Sequence, residues 1–110
     1  KIYAQRIDKI AELLRNLETD IRILLTHYPP TYKVLKGERK WFYSHVGCSR
    51  CEKVISSDRI DAVICAHSHL GIPFARVNNV PVYNVALPAT RKISIIEISK
   101  TMSLDHYMAL

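Results

Sequence analysis

Apolar residues recur at three- and four-residue spacing through the first eighteen positions, at Tyr3, Ile7, Ile10, Leu14 and Leu17, with Arg6, Lys9, Arg15 and Glu18 on other faces. That period predicts an amphipathic helix over residues 1–18. Thr19 and Asp20 break it, and the continuous apolar run IRILL (21–25) has the pattern of a strand covered on both faces. THYPP follows at once, its paired prolines ending regular structure. Residues 33–43, a basic segment around Gly37 and then Trp41, Phe42 and Tyr43, read as a long excursion.

Ser49–Ser57 fits a short helix, Asp58–Asp61 a turn, and AVICA (62–66) a second buried strand. A Gly-Ile-Pro loop comes after His69. FARV (74–77) and VPVYNVA (80–86) flank Asn78-Asn79, which predicts a hairpin because asparagine tolerates the positive φ of a tight turn. KISIIEI (92–98) reads as one more strand, with imperfect alternation, and the last dozen residues predict nothing. The order helix, strand, excursion, strand, hairpin, strand implies an α/β chain with a mixed sheet. Neither an internal repeat nor a linker divides it.

A chain of 110 residues with 48% hydrophobic content and a mean hydropathy of -0.02 suits one globular domain. No apolar run approaches the roughly 18 residues of a membrane span, and no signal peptide is recognisable, so a soluble, cytoplasmic protein without membrane contact is expected. The net charge of +6 is uneven: residues 1–60 hold 12 Lys and Arg against 7 acids, residues 61–110 hold 4 against 3. This basic excess would attract phosphate-bearing partners, nucleic acid or nucleotide among them, or serve solubility alone. Three cysteines do not suggest a secreted disulfide framework.

Both predicted buried strands run into histidine: IRILLT delivers His27, and AVICA delivers His67 and His69. Ligands collect at the carboxyl ends of strands in open α/β sheets. In an extended segment His67 and His69 would face one side, with Ser68 turned away. Neutral imidazole binds zinc, iron, nickel and copper. A lone histidine after a strand is more often an ordinary surface or core residue; three at neighbouring strand ends look like part of a metal site.

THYPP, then DAVICAHSHLGIP, then VPVYNVALPAT resembles the carboxyl-terminal half of the calcineurin-like metallophosphoesterases over residues 20–98. The resemblance implies half of an αββα sandwich. It implies that His27 and His67 ligate one divalent metal and His69 a second (Mn, Fe, Zn, Co or Ni), with Asn84 near the substrate. It further implies hydrolysis of phosphomono- or phosphodiesters by a metal-bound hydroxide of a dinuclear centre. Ala66 stands where the family usually has glycine. The family's amino-terminal carboxylate and Gly-Asn-His segments do not occur, and the chain opens with Lys1 inside a helical pattern. The expectation is therefore residues 1–110 as the carboxyl-terminal part of a longer metallophosphoesterase, inactive alone and prone to self-association through uncovered sheet.

Two further groups carry chemistry. His45, Cys48 and Cys51 are spaced as a zinc half-site, or as two thiols near a helix start, or as a local disulfide. Lys36, Arg39 and Lys40 could meet substrate phosphates while the following aromatics stack on bases. Together these define the alternative reading, a non-enzymatic nucleic-acid-binding or interaction module held by zinc.

Overall fold

The computed structural model describes residues 2–57 and 60–98. Part of the Asp58–Asp61 turn, the side chain of Tyr3 and the last dozen residues lie outside the described residues.

Helix α1 spans Ile2–Arg15 and turns Ile7 and Leu14 into the core. It stops three residues short of the predicted end, leaving Leu17 exposed. Strand β1 is Ile23–Leu25, β2 is Ala62–Cys65, β3 is Phe74–Val77 and β4 is Val80–Asn84. They form one sheet in the order β1-β2-β4-β3. The β1–β2 and β2–β4 pairs are parallel, and β3–β4 is an antiparallel hairpin. The fold is thus α/β with a mixed sheet. Asn78 and Asn79, at φ 48° and 69°, make the hairpin turn that their residue type permits.

Register decides which face is buried. Leu24, Val63, Val82 and Ala75 line up across the four strands and pack into the core with α1 and with helix α3 (Glu52–Ser57). Leu25, Ile64, Tyr83 and Phe74 form the adjacent row on the opposite face. There Leu25 is 74% exposed. The expectation that IRILL is covered on both faces is therefore corrected: β1 is a sheet edge, and no described layer covers this row at Leu25.

The predicted strand over 92–98 is also corrected. The segment is irregular, and Ile93 and Ile95 are 87% and 89% exposed. A strand needs a neighbour to accept and donate its ladder hydrogen bonds, and among the described residues none pairs with it. A short helix α4 (Leu87–Thr90), entered through Pro88, precedes it.

The excursion contributes to the core as well as to the surface. Pro29, Pro30, Thr31, Val34 and Leu35 are fully buried, and the chain then forms a 3-10 turn (Lys40–Phe42) and helix α2 (Tyr43–Val46). The Val34 carbonyl accepts from the Ile72 amide at 2.9 Å, which lays the excursion against the loop after β2. The loops after β1 and β2 consequently meet at one end of the sheet.

Candidate metal centre

β1 and β2 are parallel neighbours, so the residues that follow them emerge side by side. Their pairing continues beyond the strands: Thr26 N donates to the Ile64 carbonyl (2.9 Å) and Ala66 N to the His27 carbonyl (3.0 Å). These bonds set the backbones of His27 and His67 next to each other. Their ring centroids are 4.9 Å apart, and the His67 and His69 centroids 6.4 Å apart. Tyr28 stacks on His67 at 4.4 Å with 3° between the planes, fixing the central imidazole from one side.

The local path differs from the extended one expected. His67 has φ 68°, a left-handed conformation uncommon for a residue with a Cβ. The Ser68 amide turns back onto the Ala66 carbonyl at 2.7 Å. The chain therefore bends sharply at His67, burying Ser68 completely and leaving His69 exposed.

Hydrogen bonds from beneath hold the bend. Ser68 Oγ donates to Glu38 Oε2 at 2.9 Å, and the Leu70 amide donates to the same oxygen at 3.2 Å. Asn84, expected near substrate, is 1% exposed. Its Nδ2 donates to the Ser68 and Ile72 carbonyls and its Oδ1 accepts from the Ala86 amide. Those contacts make it a support for the histidine loop. Glu38 was hidden in the sequence as the single acid of a basic segment, and that isolation is the one signal that could have marked it.

Replacing Glu38 by alanine leaves Ser68 Oγ, on a fully buried residue, and the Leu70 amide without their acceptor. A loss of about 1–3 kcal/mol of stability is expected, with most of it retained in Glu38→Gln. Denaturant unfolding of the two variants checks this; an unchanged Glu38→Ala midpoint would refute the support role.

Neutral imidazole is the ligating form, and burial, then the neighbouring His27 and His69 charges, hold His67 below the usual imidazole range despite the opposing pull of Glu38. Among the described residues, no group of three or more His, Cys, Asp or Glu side chains is arranged to hold one metal ion. The imidazoles form a close pair and a more distant third.

No protein-family model, curated protein or solved structure matches this chain.

The remaining candidates lie elsewhere. Lys36, Arg39 and Lys40 are exposed, as are Trp41 (71%) and Phe42, which pack edge to face at 5.3 Å. Trp41, Phe42, Arg39, Glu38 and Leu70 enclose a cavity of about 250 Å³ that borders the histidine loop through Leu70. Cys48 and Cys51 are adjacent, with sulfurs 3.2 Å apart. His45 lies on the surface with its ring 5.2 Å from Phe42, and no metal-binding trio with the two cysteines forms among the described residues. Burial, reinforced by Cys48, pushes the Cys51 thiol up to about 12, and burial alone does the same to Cys65 inside β2.

Proposed function

We propose that this chain carries the histidine half of a dinuclear metal centre in a phosphoesterase of the calcineurin-like kind, acting on phosphomono- or phosphodiesters. The observation that carries the reading is the 4.9 Å pairing of His27 and His67 across two parallel strand ends, with His69 standing 6.4 Å from His67. A pair and a separate third imidazole suit one shared metal and a neighbouring second. Imidazole donors suit Zn, Fe or Ni, and the family resemblance adds Mn and Co.

When bound, two divalent metals supply Lewis-acid stabilisation at phosphorus and lower the pKa of water. The chain's own residues orient and hold. Tyr28 fixes the plane of His67, while Glu38 and Asn84 fix the backbone that aims His67 and His69. Lys36, Arg39 and Lys40 give a positive approach to an anionic substrate. The cavity walled by Trp41 and Phe42 offers a stacking surface for a nucleotide base, a preference that remains part of this proposal.

The test is hydrolysis of bis-p-nitrophenyl phosphate with added Mn²⁺. The 110-residue chain alone is expected to show no turnover, since among the described residues no group of three or more His, Cys, Asp or Glu side chains is arranged to hold one metal ion. A longer protein containing it should be active and should lose activity in His27→Ala. Activity undiminished in that variant would overturn the reading.

The uncovered end of the apolar row gives a further prediction. The exposed β1 edge at Ile23 and Leu25 should draw two copies of the 110-residue chain together, because an uncovered apolar edge strand favours association. Sedimentation should show dimers or larger species at micromolar concentration that dissociate in Leu25→Glu. A monomer at every concentration would contradict it.

A further inference from the structure

We propose that Cys48 and Cys51 form a redox site, a dithiol that a small carboxylate-bearing disulfide converts into an intrachain disulfide. The site does not depend on the phosphoesterase reading.

The two sulfurs lie 3.2 Å apart as free thiols. A disulfide bond is about 2.05 Å long, so closure asks the sulfurs to approach by roughly 1 Å. The segment bearing them is already held in place. The Cys48 amide donates to the Pro29 carbonyl at 2.8 Å, the Gly47 amide to the Tyr43 carbonyl at 2.9 Å, and Thr31 Oγ1 to the Glu52 carboxylate just beyond Cys51. Closure therefore needs little rearrangement of backbone. Cys65, fully buried inside β2, has no such partner thiol among the described residues.

The hydrogen bond between them distinguishes the two sulfurs: Cys51 Sγ donates to Cys48 Sγ, an arrangement that favours the thiolate at Cys48. Cys48 is buried and Cys51 half-buried; both line a pocket of about 190 Å³, and Cys48 also lines an open pocket of about 420 Å³ with Tyr32, Ser44, Gly47, Ser49 and Arg50. Arg50 is exposed at this pocket and presents a guanidinium suited to a carboxylate. Cys48 is thus the attacking sulfur and Cys51 the resolving one.

The chemistry is thiol–disulfide exchange. The Cys48 thiolate attacks one sulfur of the small disulfide, breaking its S–S bond and forming a mixed disulfide. The expelled small thiolate takes up a proton. Cys51 then attacks the Cys48 sulfur, giving up its thiol proton, forming the intrachain bond and expelling the second small thiolate, which takes up a proton. The protein loses two electrons and two protons, and the small disulfide gains both, leaving as two thiols.

The probe is glutathione disulfide, and the readout is alkylation of the remaining thiols followed by mass spectrometry of the 110-residue chain. Excess disulfide should remove Cys48 and Cys51 from the alkylated set together, with Cys65 still labelled and no glutathione retained. Cys51→Ser should accumulate one glutathionyl group on Cys48, and Cys48→Ser should accumulate none on Cys51. The proposal is overturned if all three thiols of the unmodified sequence stay alkylatable. It is equally overturned if that sequence keeps a lasting glutathione adduct, or if Cys51 is the residue captured.

Discussion

His67→Ala is expected to lower divalent-metal affinity at least about 100-fold, the largest loss of any single substitution in the cluster. Outer-shell partners of metal-bound histidines already cost tenfold to about 100-fold when removed, and a ligand itself costs more. His67 is central: its ring stands 4.9 Å from His27, 6.4 Å from His69 and stacks on Tyr28. Its removal breaks the close pair and the stack on Tyr28, whose ring keeps only its 5.3 Å contact with His27. The left-handed backbone at this position needs its own control, because alanine tolerates it less well than asparagine. His67→Asn should therefore melt closer to the unmodified chain than His67→Ala while still losing most of the metal affinity. Isothermal titration with Co²⁺ and thermal unfolding of both variants separate the two effects. Retained affinity in a folded His67→Ala would remove the residue from the ligand set.

The second large effect is expected in Gly37→Ala, at a position that touches no histidine. Gly37 has φ 115°, in the region that favours glycine, and a Cβ there would run into the Leu70 carbonyl. Backbone strain of this kind costs about 1–3 kcal/mol, and displacing a packed carbonyl adds to it. A loss of about 3 kcal/mol translates into a melting point lower by about 10 °C or more for a domain of this size. The damage should spread along a defined route. Leu70 donates its amide to Glu38, and Glu38 also holds Ser68, so moving Leu70 loosens the turn that aims His67 and His69. Weaker metal binding should accompany the lower melting point. A Gly37→Ala variant that melts within about 2 °C of the parent, well inside the shift expected from such strain, would show that the close approach is not needed.

Much of this architecture was legible in short-range pattern. The spacing of Ile7 and Leu14 marked the inward face of α1, Asn78-Asn79 marked the hairpin, and two apolar runs ending in histidine marked the neighbouring strands. Each signal is local, because helix period, turn chemistry and strand alternation are properties of a few consecutive residues. What failed depended on distant partners. KISIIEI has β composition, but strand formation also requires a neighbour, and residues 92–98 have none among the described residues. Val34 and Leu35 sit inside a charged stretch, so their complete burial follows from how the excursion folds back. Glu38 supports residues thirty or more positions away, and its role became visible only once Ser68 and Leu70 were beside it. The bend at His67 is hidden for the same reason: the part-buried Ser68–Glu38 bond stabilises a backbone angle that histidine alone does not favour.

Titration of the 110-residue chain with Zn²⁺, followed through the imidazole resonances of His27, His67 and His69, decides whether these rings take up metal. Shifts are expected at His27 and His67 at the same metal concentration, with a response of His69 of separate concentration dependence and none at His45. Contradiction would be a response confined to one of the three imidazoles, or none at any concentration that leaves the chain folded.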